Sequence, residues 1–457
     1  MTEYVSIITI LSNIFALFVI WNIWRWKIFV HPGAYFSVLW AISVMSEWYL
    51  VETDLAMTPN PQFIDELNLY GAFASFCFAI FSLIGQKYSR HEIKIEIVSN
   101  KKMLLALMWI AIVATIANFI YKGATLSFAT NRGYGGISDV GDHIYREFTV
   151  LDSLLSIFTG GVFLYTIYMG YALAKKITDQ KELPIKRYLI IALPFVITFL
   201  SAVIIGGRNP IVSSIKLYVL GIGFGLPLVL AKKSRKRIIL LITSALIAFS
   251  MFSSYVADER IEIAMTSKQE YDSEILNKFA GIMDYMSAHY WGYQLRRTDY
   301  ADGNNLLYGK ATLYGLGDIR IPFSSMLGIN SGLLDVFGIE YDNLDIYKDK
   351  AEGYYTTSTI FMPMVRDYGL YGTFLYILIV VIVTQYLFLN VIKKTKCTGL
   401  SLVPFYIVFT YWSSANFNVG LGGATITPIL LSVIVYDILQ NNYSSNVIKN
   451  KRLYSSK

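Results

Sequence analysis

The sequence has few charged residues and only two cysteines. Charged residues make up 16% of its 457 residues, against 55% hydrophobic residues, and the mean hydropathy is +0.48. The two cysteines, Cys77 and Cys397, are too few for a disulfide framework or a cysteine-based metal site. This composition excludes an ordinary soluble domain, in which about a quarter of the residues are charged.

The usual signatures of nucleotide and metal chemistry are also missing. There is no Asp-x-Asp pair to hold the metal of a nucleotide sugar, and residues 303–310 do not have the glycine spacing of a phosphate loop. We therefore expect no cofactor and no metal. The four histidines stand at no ligand spacing: His31, His91, His143 and His289.

Long apolar runs fill most of the chain. Each run has about 18 to 23 residues, the length that a helix needs to cross the hydrocarbon core of a bilayer. No basic region precedes the first run, which predicts a retained helix rather than a cleaved signal peptide. The pattern predicts an all-α integral membrane protein with about eleven transmembrane helices. The runs are residues 4–24, 33–51, 67–85, 103–121, 150–172, 188–205, 211–231, 238–255, 370–391, 400–417 and 420–439.

The connectors between these runs differ in charge. Alternate connectors and the carboxyl-terminal tail hold more than half of the 39 Lys and Arg residues. By the positive-inside rule, these connectors lie in the cytoplasm, so we predict an outside amino terminus and a cytoplasmic carboxyl terminus. The net charge of +7 then reflects topology, and we expect no nucleic-acid partner.

A short outer connector, residues 206–210, carries the strongest candidate for anion binding. Pro210 suits the first turn of the following helix, which places Arg208 beside a helix amino terminus. Free N–H groups, the helix dipole and a guanidinium together suit a phosphate or pyrophosphate, with Gly207 and Asn209 as neighbours in the site. The alternative is an arginine that only anchors the helix end.

The outer segment of residues 256–367 is too long for a passive connector and is more acidic than basic. Apolar residues recur at spacings of three and four from Ile275 to Tyr293, which predicts amphipathic helix. We predict helices in residues 1–255, a large extracytoplasmic helical cap between the eighth and ninth spans in residues 256–367, and helices with a cytoplasmic tail in residues 368–457. The first outer connector, residues 52–66, is given a structural role.

Several other outer residues are candidates for handling a substrate. His289 is the only histidine of the large segment, and its pKa range suits proton transfer, although a lone histidine on an apolar face is more often packed in a core. The remaining candidates each have an ordinary surface charge or ion pair as the alternative interpretation. They are Arg132, Arg296, Arg297, Arg320, Arg366 and Asp367.

The layout of the chain and two short stretches carry a family resemblance. The turn Gly206-Gly207-Arg208 lies between two apolar runs, one large outer segment lies late in the chain, and in residues 356–372 the sequence Thr-Thr-Ser-Thr leads into Arg366-Asp367-Tyr368-Gly369-Leu370-Tyr371-Gly372. In these features and in the number of apolar runs, the chain resembles the bacterial oligosaccharide repeat-unit polymerases, also called Wzy-type or O-antigen polymerases.

The resemblance implies metal-independent glycosyl transfer on the outer face of the bacterial plasma membrane, facing the periplasm or cell exterior. The donor and the acceptor are oligosaccharides linked to undecaprenyl pyrophosphate, and membrane lipids, a chain-length regulator and a flippase are further partners. It implies catalytic roles for Arg208, His289 and Arg320. Arg208 would bind the donor pyrophosphate, while His289 or a carboxylate of the large segment would take the proton of the acceptor hydroxyl.

Three other functions fit the same layout. An O-antigen ligase uses the same donor with another acceptor. A flippase or other transporter of lipid-linked oligosaccharide is the non-enzyme alternative, although such carriers usually show internal repeats and we find none. The third is a cell-wall glycan polymerase of the shape, elongation and division class.

Overall fold

A computed structural model of the chain describes the greater part of its residues, and most of these are helical. The described residues are 2–52, 60–89, 96–97, 101–123, 150–179, 193, 209–240, 243, 283, 286–294, 297, 306–313, 337–339, 359–393, 396–415 and 429–440.

These ranges are mostly α-helix, together with one 3-10 helix, Arg25–Val30, and two short strands. The strands are β1 (Glu96–Ile97) and β2 (Lys396–Cys397). The helices are α1 (Thr2–Trp24), α2 (Pro32–Glu52), α3 (Pro61–Ser89), α4 (Lys101–Gly123), α5 (Val150–Thr178), α6 (Asn209–Gly225), α7 (residues 232–240), α8 (residues 286–294), α9 (Phe361–Lys393), α10 (Gly399–Ser413) and α11 (Ile429–Gln440).

Among the residues that the structure describes, three helical stretches are long and apolar enough to cross a membrane: Glu3–Val30, Pro61–Tyr88 and Phe361–Lys393. Their exposed faces carry large apolar side chains, such as Phe18 and Leu375, which are 64% and 62% exposed. Such surfaces suit contact with lipid, because an isolated soluble protein seldom exposes wide apolar patches. These helices are consistent with the predicted class, a helical membrane protein, while the number of eleven spans and the topology stay predictions. Shorter apolar helices are Lys102–Ala117, Ser213–Gly225, Gly399–Ser413 and Ile429–Gln440.

Buried hydrogen bonds join α1, α2 and α3. The Asn68 side-chain amide donates to Ser6 Oγ at 3.2 Å, and the Ser75 hydroxyl donates to Asn13 Oδ1 at 2.6 Å. Ser75 also lies 3.1 Å from the Ser37 hydroxyl. Inside a bilayer, hydrogen bonds between helices contribute to association because apolar surfaces alone gain little from meeting one another. The two pairs between α1 and α3 show that these helices run parallel. Ser82 lies 3.1 Å from His31 Nε2, just before α2, and together with the contact of Ser75 with Ser37 this shows that α2 is antiparallel to α3.

Glycines allow α5 and α6 to approach closely. A Cβ atom added to Gly221 would lie 2.2 Å from the Ile167 carbonyl oxygen, and one added to Gly170 would lie 2.4 Å from the Tyr218 carbonyl oxygen. Small residues at such contacts let helix backbones pack within the membrane. Any side chain at either position would force the two helices apart.

Both short strands lie at one end of the helix bundle. β1 and β2 are parallel, with Glu96 opposite Lys396 and Ile97 opposite Cys397. They belong to two of the connectors with many basic residues, so the structure brings these connectors to one place. We call this end of the bundle the basic end, because α3 and α9 also finish there with Lys87 and Lys393 in their last turns.

Two helices end against lysine side chains. The buried Lys27 ammonium donates to the Gly223 and Phe224 carbonyl oxygens at 3.1 and 2.9 Å, at the carboxyl end of α6. Lys216, within α6, donates to the Ser413 carbonyl oxygen and the Ser414 hydroxyl at 2.9 and 2.6 Å, at the carboxyl end of α10. The last carbonyls of a helix have no partner within the helix and carry partial negative charge, which a cation stabilises.

Candidate functional site

The end of the bundle opposite the basic end is built partly from the large segment that precedes α9. Within that segment α8 is helical, as the predicted stripe ending at Tyr293 requires, and its residues 287–290 and 292–293 are buried. The α8 helix packs against α2 and α3: Tyr290 lies beside Trp40, with ring centroids 6.5 Å apart, and Tyr293 lies beside Phe63, with centroids 6.4 Å apart. These contacts fix the segment on α2 and α3.

Arg297 and Glu66 form an ion pair at this end. Arg297 Nε lies 3.4 Å from Glu66 Oε1, and the Tyr293 hydroxyl donates to the same oxygen. The side chains of Arg297 and Glu66 are only 16% and 12% exposed. Burial, and then the charge of Glu66, raises the pKa of Tyr293 well above its ordinary value, so its hydroxyl stays protonated and acts as a donor. The pair therefore holds the guanidinium of Arg297 in a partly buried position near the amino-terminal end of α3.

Tyr290 extends this attachment toward α1. Its hydroxyl donates to Asn68 Oδ1 at 2.5 Å, and the amide of Asn68 in turn donates to Ser6. Burial is the main cause that raises the pKa of Tyr290, and the charge of Glu47 adds to it. A chain of hydrogen bonds thus runs from the large segment through α3 to α1.

His289 lies inside the core. Its ring centroid is 5.1 Å from that of Trp40 and 4.3 Å from that of Tyr290, and its Nδ1 atom lies 3.2 Å from the Met286 carbonyl oxygen. Burial lowers the pKa of His289 to about 3, so the imidazole is neutral. Trp40 stands about 12 Å along α2 from Pro32, well inside the bundle. This position favours packing over proton transfer to an external substrate.

Asp367 holds a turn of the large segment against the start of α9. Its two carboxylate oxygens accept the backbone N–H groups of Ala311 and Thr312 at 2.9 and 2.6 Å, and the Asp367 side chain is fully buried. The backbone repeats the attachment, because the Tyr308 N–H donates to the Asp367 carbonyl oxygen at 3.2 Å. Asp367 therefore organises residues 306–313, and its carboxylate is directed at the protein's own amides.

Arg366 stands beside this turn. Its carbonyl oxygen accepts the Leu307 N–H at 3.3 Å, so its backbone is fixed by the same segment. The chain then bends at Gly369, whose φ of 69° and ψ of −177° interrupt α9. The rings of Tyr368 and Tyr376 stack with centroids 4.8 Å apart, although eight residues of straight helix would separate them by about 12 Å along the axis. Residues 361–368 thus form a short helix that contains Arg366, and the bend at Gly369 follows it.

Trp40 contacts both the helix α8 and the start of α9. The ring centroids of Phe361, in α9, and His289, in α8, each lie 5.1 Å from that of Trp40. The Tyr70 hydroxyl donates to the Leu370 carbonyl oxygen at 3.1 Å, which ties α3 to the bend in α9. Of the predicted site residues, Arg297, Arg366 and Asp367 therefore lie near the amino-terminal ends of α3 and α9, whereas His289 lies deeper, in the core beside Trp40.

The other predicted site residues lie outside the described residues. This applies to Arg132, Gly207, Arg208, Arg296 and Arg320. Asn209 is the first residue of α6, as expected for the residue before Pro210, but its side chain is outside the description. The proposed pyrophosphate site at the start of α6 thus stays a prediction.

Two ionisable residues of this region were missed by sequence reasoning. Glu66 belongs to a connector that we gave only a structural role, and Lys216 lies inside a run that we judged only by length and hydropathy. The signal for Lys216 was available, because an ionisable residue in a membrane helix is expensive and usually has a specific partner. Glu66 carried no local signal, because its partner Arg297 is 231 residues away.

In comparisons with known proteins, no family model, no curated protein and no solved structure matches the chain. Within the described part of the chain, no group of three or more His, Cys, Asp or Glu side chains could hold a metal ion.

Proposed function

We propose that this protein polymerises oligosaccharide repeat units carried on undecaprenyl pyrophosphate, by metal-independent glycosyl transfer at the outer face of a bacterial plasma membrane. The chain would cross the membrane about eleven times, with its amino terminus outside and its carboxyl terminus in the cytoplasm. The paired strands β1 and β2 support this topology, since they join two connectors that the charge rule assigns to the cytoplasm.

One observation carries the proposal. Segments of the large outer loop are fastened to the end of the bundle opposite the basic end, by Arg297 with Glu66 and by Asp367 with the amides of Ala311 and Thr312. The guanidinium of Arg297 is fixed at this end by Glu66, and Arg366 lies in the first turns of α9. This supports the proposal that a lipid-linked glycan enters at this end. Preorganised cations of this kind stabilise the charge that develops on a departing pyrophosphate.

The donor already bears its leaving group, so neither a nucleotide site nor a metal is needed. In the reaction, the acceptor hydroxyl oxygen bonds to the anomeric carbon of the donor as the bond to the pyrophosphate oxygen breaks. The pyrophosphate leaves with the electron pair, next to Arg208 or Arg320 and the fixed Arg297. The hydroxyl proton goes to a carboxylate of the large segment, since the buried His289 with its low pKa is poorly suited to accept it.

The test is a gel of surface polysaccharide and carrier-linked intermediates from cells with and without the gene. A polymerase predicts loss of the polymer ladder and accumulation of single repeat units on the outer-leaflet carrier. Arg208→Ala and Arg297→Gln proteins that insert and accumulate normally should give the same pattern. Arg235→Gln, which removes an equal charge from the exposed surface of α7, is the matched control and should leave the ladder unchanged.

The same gel separates the alternatives. Long carrier-linked polymer that never reaches a lipid core would identify a ligase. Repeat units trapped on the cytoplasmic leaflet would identify a flippase. Unchanged polysaccharide after deletion of the gene would reject all three functions.

A flippase is the second candidate because of features inside the bundle. Lys216 is an ammonium within α6, α9 is interrupted at Gly369, and α10 ends at Ser413 beside the start of α9, where the Ile360 N–H donates to the Ala415 carbonyl oxygen at 3.1 Å. Interrupted helices and intramembrane charges are typical of transporters. The leaflet in which repeat units accumulate decides between the two functions.

A further inference from the structure

Two lysines meet over one tyrosine at the basic end of the bundle. Lys393 Nζ lies 3.5 Å from the centroid of the Tyr88 ring, and Lys87 Nζ lies 5.0 Å from it. Both distances are within the range of a cation–π interaction. The lysines stand in the last turns of α9 and α3, so two separate helices bring an ammonium to the same ring.

The two ammonium groups concentrate positive charge on the protein surface. Both lysines are exposed, and no ion pair with a carboxylate is described for either of them within the described residues. Like charges held this close repel each other. An anion that contacts both ammonium groups would offset this repulsion, and each ammonium has further N–H groups to donate.

The cluster lies where the lipid-facing apolar surface ends. On α3, the exposed Leu83 and Ile84 precede Lys87 by about one turn. On α9, the exposed Val383 and Tyr386 precede Lys393 by a few turns. Apolar side chains of this kind face acyl chains, and lysine and tyrosine at their edge are typical of the headgroup level.

We propose that Lys87, Lys393 and Tyr88 bind the phosphate group of an anionic phospholipid. The charges are complementary, and the acyl chains of the bound lipid lie along Leu83 and Ile84. A free phosphate ion has the same anionic chemistry, but it lacks the chains that would contact this apolar surface. The site lies at the end opposite the candidate glycan site and does not depend on the proposed polymerase activity.

The test uses the purified full-length protein reconstituted in nanodiscs with an equimolar mixture of phosphatidylglycerol and phosphatidylcholine. Native mass spectrometry after release from the nanodiscs measures which lipid stays bound. We expect the protein to retain phosphatidylglycerol preferentially. The double variant Lys87→Gln with Lys393→Gln should lower this preference about tenfold, since each basic residue near an anionic surface contributes a several-fold effect.

Two controls make the result specific. The double variant Lys232→Gln with Lys233→Gln removes the same charge from the exposed face of α7 at the basic end and should retain the preference. Lys87→Arg with Lys393→Arg should also retain it, because arginine keeps the positive charge at both positions. An equal loss in both glutamine variants would overturn the site, because the preference would then follow net charge alone. Displacement of the lipid by inorganic phosphate at physiological concentration would overturn the assignment to a lipid.

Discussion

The Lys216 ammonium donates to the Ser413 carbonyl oxygen at 2.9 Å and so joins the middle of α6 to the carboxyl end of α10. A carbonyl inside the bundle has no water to replace this donor. We expect Lys216→Met, which keeps the length of the side chain, to lower the free energy of unfolding by about 1 to 3 kcal/mol. Thermal unfolding of the purified protein in detergent measures the change.

Lys232→Met is the control for Lys216→Met, since Lys232 is exposed on α7. Its effect should stay within about 0.5 kcal/mol, as for most surface substitutions. Equal melting temperatures for the Lys216→Met and wild-type proteins would show that the contact of Lys216 with Ser413 contributes nothing to stability.

Asp367 gives a second prediction, which separates a structural role from substrate binding. In Asp367→Asn, the amide oxygen can accept only one of the two N–H groups of Ala311 and Thr312, and the amide nitrogen must face the other. We expect residues 306–313 to lose about 1 to 3 kcal/mol of local stability. Hydrogen exchange at the Ala311 and Thr312 amides should therefore become faster.

Asp437→Asn is the matched control, because Asp437 Oδ2 accepts the Leu400 N–H at 3.0 Å in a comparable contact of α11 with α10. It should leave exchange at Ala311 and Thr312 unchanged. If Asp367→Asn also leaves that exchange unchanged while polymer synthesis is lost, Asp367 acts on the substrate and not on the turn.

Sequence reasoning predicted the helices better than it predicted their attachments. Length and hydropathy placed α3 because residues 67–85 are apolar, yet the helix begins earlier, at Pro61, since its first turns are polar and carry Glu66. The contacts that form the candidate site, such as that of Arg297 with Glu66, join residues far apart in the chain and leave no local pattern. The role of Asp367 was hidden for the same reason, because its partners are backbone amides that any residue could supply.

Substitution of Tyr308, unlike the substitutions above, is predicted to raise the stability of the protein. It has a φ of 48° and is 81% exposed, so a bulky residue occupies a left-handed conformation without burying its side chain. Such a conformation costs roughly 1 to 2 kcal/mol for a residue other than glycine. We expect Tyr308→Gly to raise stability by about 0.5 to 1 kcal/mol, because part of the gain is offset by the greater freedom of glycine in the unfolded chain.

Tyr386→Gly provides the comparison for Tyr308→Gly. Tyr386 is 64% exposed within the helical part of α9, where glycine costs about 1 kcal/mol relative to good helix formers. The two substitutions should therefore shift the melting temperature in opposite directions. A fall for both proteins would mean that the Tyr308 side chain contributes more through contacts than its backbone conformation costs.

The last prediction concerns pH and His289. Burial lowers the pKa of His289 to about 3 in the folded protein, whereas a histidine in the unfolded chain titrates near 6.5. Between these values the unfolded state binds more protons, so stability rises with pH and is lost as the pH falls below about 6.5. The slope from this residue is at most about 1.4 kcal/mol per pH unit. We expect His289→Gln, which does not titrate, to show a flatter dependence of melting temperature on pH from about 6 to 4.

The comparison between the His289→Gln and wild-type proteins is one of slopes, so a constant loss of stability from repacking against Trp40 does not affect it. Identical slopes for both proteins would place the imidazole in contact with water or with an acidic partner that keeps its pKa near the ordinary value.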